Sequence, residues 1–135
     1  MAMLFTNGSY FWIYDLVGDN SFTRDQEGME LLKKLIALRK IMLQKGKDHL
    51  FSDEDGITCN TPNVIVKRFI HQTQENRSML AVFRLSDAEA RVRLDFTVNS
   101  AVAIYYDGKT QALAIDNGEL IIPQDKICLI LLNND

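Results

Sequence analysis

The sequence is poor in the residues that carry the commonest site chemistries. It holds two cysteines and two histidines in 135 residues. No C-x-x-C pair and no Cys/His ligand spacing occurs, which argues against a zinc site. Cys59 and Cys128 both sit in apolar stretches, as buried free thiols do, and the sequence leaves a disulfide between them open. There is no G-x-S-x-G nucleophile elbow. Neither His49 nor His71 lies near a serine or cysteine in a nucleophile pattern, so both read as solvent-facing or hydrogen-bonded. The seven glycines are scattered and mostly mark turns, which excludes a glycine-rich phosphate loop. No cofactor is expected. No apolar run approaches the ~20 residues of a membrane span. The first eight residues lack the basic region and apolar stretch of a signal peptide. The chain therefore reads as soluble, and as cytoplasmic if Met1 is the true start. Basic excess is also missing: Lys and Arg total 15 against 18 Asp and Glu, a net charge of -3. That leaves no electrostatic footprint for nucleic acid or an anionic membrane. Internal repeats and low-complexity segments are absent.

What is present is globular. Hydrophobic residues make up 47% and charged residues 24%. The length suits one domain and is too short for a complete (β/α)₈ barrel enzyme, which needs ~250 residues. Six of the twelve aromatic residues fall before residue 23. Residues 10–17 have the aromatic and β-branched richness of a strand, followed by a polar loop at 18–21. A helix is expected over residues 24–45. Thr23 serves as N-cap and Gln26 completes a capping box. Asp25 and Glu27 suit the positive end of the helix dipole. Leu31, Leu35, Leu38 and Met42 form one face, while Leu32, Ile36 and Leu43 form an adjacent stripe. Gly46 follows as a natural stop. The apolar arc is wider than one sheet face needs, so the helix is expected to pack against two surfaces at once.

Beyond Gly46 the texture changes. Residues 47–49 and 52–56 read as polar linkers around Leu50 and Phe51. Eight short strands are expected at 57–60, 64–71, 78–85, 91–97, 101–106, 111–115, 119–122 and 127–132. Asp107-Gly108 and Asn117-Gly118 are strong hairpin signals. Residues 91–96 alternate apolar and charged, as in a half-exposed strand, whereas 79–83 and 127–132 are apolar throughout, as in strands covered on both faces. The fold class is α+β, mainly β: an antiparallel β-sandwich of about eight short strands with one long N-terminal amphipathic helix.

Few side chains offer chemistry. Asp15 and Asp19 follow the aromatic run and read either as structural or as carboxylates for acid–base work, while Asp53, Glu54 and Asp55 read as a solvated turn. Strand alternation puts Tyr10, Trp12 and Tyr14 on one face. Such a row packs a core or offers a flat stacking surface to a sugar ring.

The order of these parts resembles the C-terminal end of barrel glycoside hydrolases of the alpha-amylase type and related clans. The stretch Leu35-Ile36-Ala37-Leu38-Arg39-Lys40 is similar to their final barrel helix. Val66-Lys67-Arg68-Phe69, Leu80-Ala81-Val82-Phe83-Arg84-Leu85-Ser86 and the apolar strand at 127–132 are similar to strands of their C-terminal β-domain. The resemblance implies that residues 1–46 correspond to the end of a barrel domain and 47–135 to a C-terminal β-sandwich domain. It implies no catalytic residue here, since the family's catalytic carboxylates lie on earlier barrel strands. The expected function is a non-catalytic accessory domain packing against a catalytic barrel of the same or a longer chain. The alternative is a carbohydrate-binding module using Tyr10, Trp12, Tyr14, Asp15 and Asp19 on a glycan. Self-association through the helix face is a further expectation.

Overall fold

The computed structural model describes residues 25–74 and 76–134. Within them the chain forms one helix and ten strands. Helix α1 spans Gln26–Lys45. Its cap is Asp25, whose carboxylate accepts the Gly28 N–H at 2.8 Å. The start therefore lies later than the Thr23 capping box suggests, because Asp25 is itself a good cap and reaches the third helical amide. Gly46 ends the helix by donating its N–H to the Met42 carbonyl at 2.8 Å. Its φ of -103° is open to any residue. Space is what selects glycine there: a Cβ would lie 2.8 Å from the Met42 carbonyl oxygen, a backbone atom fixed by the helix, and 2.6 Å from the Met79 methyl group.

The strands are β1 (His49–Phe51), β2 (Ile57–Thr58), β3 (Val64–His71), β4 (Arg77–Arg84), β5 (Arg91–Leu94), β6 (Ser100–Ile104), β7 (Thr110–Leu113), β8 (Ile115–Asp116), β9 (Glu119–Ile121) and β10 (Ile127–Asn133). They form two antiparallel sheets. The larger runs β1-β3-β4-β10-β6-β7 and the smaller β2-β5-β9-β8. Three layers result, with the six-stranded sheet in the middle. One of its faces meets the small sheet through Val66, Leu80, Val82, Cys128 and Ile130 against Val92, Leu94, Leu120 and Ile122. The other meets α1 through Phe69, Met79, Ala81, Phe83 and Leu129 against Leu35, Leu38 and Met42. Successive residues of β4 and β10 thus enter different cores. This is why both strands are apolar throughout, as expected for strands covered on both faces. Strand β5 has one wet face, so Arg91 and Arg93 are exposed while Val92 and Leu94 are buried.

Ten strands replace the expected eight for two reasons. Leu50 and Phe51, expected inside a linker, belong to edge strand β1, which pairs with β3. The single strand expected at 111–115 is broken at Ala114, where the chain leaves the large sheet (β7) and enters the small one (β8). A break that changes sheet, rather than direction, carries no turn signature.

The two hairpin signals behave differently. Asp116 pairs with Glu119, so Asn117 and Gly118 are the whole loop, with φ of 49° and 78°. Both central residues in the left-handed region make this a type I′ turn, which suits the strand twist. At Asp107-Gly108 only the glycine takes positive φ (81°), inside a longer loop. Gly118 is doubly constrained, since a Cβ would sit 3.3 Å from the Leu94 carbonyl oxygen. Gly118→Ala is expected to lower the unfolding free energy by about 1–2 kcal/mol. Chemical denaturation monitored by circular dichroism checks this.

Candidate functional site

The residues singled out for sugar contact or acid–base work, Tyr10, Trp12, Tyr14, Asp15 and Asp19, lie outside the described residues. What the described residues assemble is a cleft of about 570 Å³ between the first turns of α1 and the end of the β9–β10 connection. Leu31 and Ile127 supply apolar lining, and Tyr106 stands at one side. The Lys34 ammonium lies 5.0 Å from the centre of the Tyr106 ring, a cation–π contact. Asp25, Glu27, Glu30 and Asp125 line the cleft with Lys34 and Lys126, four carboxylates against two ammonium groups. Lys126 approaches Glu27 at 3.7 Å. The Lys33 ammonium, bonded to Glu30 at 2.9 Å, holds that carboxyl below its ordinary value.

This cleft is poorly suited to acid–base catalysis. A general acid near neutral pH needs its carboxyl sheltered from water to raise its pKa. All four carboxylates here are exposed. Among the described residues, no group of three or more His, Cys, Asp or Glu side chains is placed to hold a metal ion.

The acidic loop at 53–55 behaves as the solvated turn the sequence suggests, with all three side chains exposed. Lys67 clamps it, reaching Asp53 at 2.6 Å and Glu54 at 2.8 Å. Those bonds, Asp53's first, raise the Lys67 pKa. Neither cysteine is paired. Burial pushes the Cys128 thiol up to about 12, so it is a packing group and no nucleophile.

Two buried arginines escape a reading by pattern, and both serve the scaffold. Arg68 donates to Ser78 Oγ from Nε (3.1 Å) and Nη2 (2.9 Å), and to the Asp55 carbonyl from Nη1 (2.8 Å). Its guanidinium lies 3.6 Å from the centre of the Phe96 ring. Burial lowers its pKa. Arg84, 1% exposed, donates to the carbonyls of Ser86, Pro123, Ile122 and Ala88. The only signal for either in the sequence is an arginine breaking an apolar strand run. The histidines meet as well: His49 and His71 are register partners across β1 and β3. Nothing in their sequence spacing shows this.

No protein-family model matches the chain, and no curated protein matches it. Among the described residues, no helix is long and apolar enough to cross a membrane.

Proposed function

We propose that this chain is a non-catalytic accessory β-sandwich domain of a glycoside-hydrolase-like protein, seated through α1 against a catalytic barrel. One observation carries the reading: the second apolar stripe of α1 buries Leu32 but leaves Ile36 and Leu43 uncovered among the described residues. Leu35, Leu38 and Met42 are sealed on the six-stranded sheet. Ile36 and Leu43, two turns apart on another side of the helix, are 41% and 48% exposed. A helix that closes a β-sandwich on one side and faces a barrel on the other needs this double pattern. The exposed carboxylates of the cleft support a non-catalytic role. The reading also draws on the resemblance of residues 35–40, 66–69 and 80–86, with a long helix preceding a β-sandwich.

The test places a photo-crosslinking amino acid at position 36 or 43 in the full chain, in cells that produce it. The expected product is an adduct whose other half, identified by peptide sequencing, is a barrel domain of hydrolase type. Adducts only between two copies of this chain, or no adduct at either position, would overturn the reading.

A further inference from the structure

A second cleft, of about 400 Å³, lies where α1 ends against the β1–β3 pair, and it gathers both histidines. Their ring centroids are 5.0 Å apart, edge to face at 80°. Lys45 from the end of α1, Lys47 and Asp48 from the turn after it, and Arg77 from β4 line the same cleft. Three cations and one carboxylate thus surround the pair among the described residues.

The two rings do different things. His71 Nδ1 accepts the backbone N–H groups of Thr73 at 3.2 Å and Gln74 at 3.1 Å. That assigns the ring proton to Nε2 and closes the turn after β3. It also argues against a metal bridging the rings, because a ligating histidine keeps the proton on its other nitrogen and donates it. His49 Nδ1 is shut off from water with no hydrogen-bond partner. Burial first, then the His71 ring and Arg77, disfavour a positive charge on His49. Asp48 and the Gly46 carbonyl pull the other way.

The strand that carries His49 is short and has a partner on one side only. β1 has three residues and forms the edge of its sheet, paired with β3 alone. Three backbone bonds flank it, from Ser52 N–H to the Arg68 carbonyl and from Gln72 N–H to the Asp48 carbonyl, each 2.8 Å, and from Arg68 N–H to the Asp53 carbonyl at 2.6 Å. Phe51 lies edge-on to Phe69 with centroids 5.4 Å apart.

We propose that the His49–His71 pair is an acid-released latch: neutral His49, packed on the His71 ring, holds β1 on the sheet, and protonation of His49 frees it. Release uncovers the outer edge of β3 and the Phe69 ring. The sign follows from the direction of the shift. Above the ordinary histidine value of 6.5, His49 is neutral whether β1 is docked or free, and docking has its full strength. As pH falls below that value, the freed strand takes up a proton that the docked one resists. Docking weakens until pH passes the lowered value of the docked ring.

The experiment is amide hydrogen exchange by NMR on the full chain from pH 7.5 to 5.0, with rates corrected for intrinsic pH dependence. Protection of β1 and Ser52 should fall with a limiting slope of about tenfold per pH unit. The amides of β4 and β10 should hold. His49→Phe should flatten the β1 profile. Should that variant fail to fold, the His49 ring resonances of the unaltered protein serve instead, titrating below 6.5 in step with the loss at β1. Protection of β1 that is independent of pH, or that falls together with β4 and β10, would overturn the latch.

Discussion

Replacing Arg84 with alanine should lower the unfolding free energy by about 3 kcal/mol or more, a loss typical of a broken buried polar network. The side chain leaves β4 at the margin of the inter-sheet core. Its fork donates to carbonyls on two separate connections, Ser86 and Ala88 between β4 and β5, and Ile122 and Pro123 between β9 and β10. Both connections cross from one sheet to the other. One guanidinium therefore ties together the two crossings at that end of the sandwich. Alanine leaves several acceptors without donors and a void where the stem was. Arg84→Met keeps most of the volume, so its loss, about 2 kcal/mol, isolates the hydrogen bonds. Arg84→Lys keeps the charge on one nitrogen, which cannot bond four carbonyls in two loops, so it should recover less than half of what alanine loses. Urea denaturation of the three variants checks the order. Losses under about 1 kcal/mol in all three would show that water replaces the fork without penalty.

Arg84 also marks where sequence reading stops. The apolar runs in β4 and β10 announce strands buried on both faces, because a half-exposed strand needs apolar residues only at alternate positions and runs this short fall below helix length. The alternation in β5 announces one wet face for the same reason. Helix α1 is legible from its 3–4 spacing, and its start is displaced only because a second capping residue, Asp25, lies close by. Side chains that work across the chain are not legible. Arg84 and Arg68 differ from surface arginines only in what folds around them: four carbonyls in one case, Ser78 and the Phe96 ring in the other. The β7–β8 break depends on which sheet each half joins, a long-range choice with no local residue to signal it. The facing of His49 and His71 depends on the β1–β3 register, and a segment as short and polar as residues 47–56 reveals no register. The aromatic residues Tyr10, Trp12 and Tyr14, prominent in the sequence, fall outside the described residues, so the sugar-stacking expectation rests on residue type alone.

Substitutions on the two sides of α1 should separate into two kinds of effect. Leu38 is fully buried, with 0% exposure, in the core shared with Phe69, Met79 and Leu129. Leu38→Ala should lower the unfolding free energy by about 3 kcal/mol, because the rigid sheet beneath cannot close the cavity. The helix is the only layer among the described residues on that face of the sheet. Its loosening should therefore also raise exchange at Met79, Ala81 and Leu129, on the strands beneath. The double substitution Ile36→Lys and Leu43→Lys acts on exposed positions and should shift stability by no more than about 0.5 kcal/mol per site. Its effect should appear in association instead. Sedimentation of the purified chain at several concentrations, with no barrel domain present to cover α1, should show the unaltered chain associating through α1 and the double variant remaining monomeric. Isolated exposed apolar residues are ordinary on any protein surface and carry no partner. On that alternative the double variant would sediment like the unaltered chain, and the accessory-domain reading would lose the observation that carries it. Leu38→Ala that fails to loosen the strands beneath would instead show that the sandwich is complete without α1. The two faces of one helix thus answer separate questions: whether α1 belongs to this fold, and whether the fold belongs against something else.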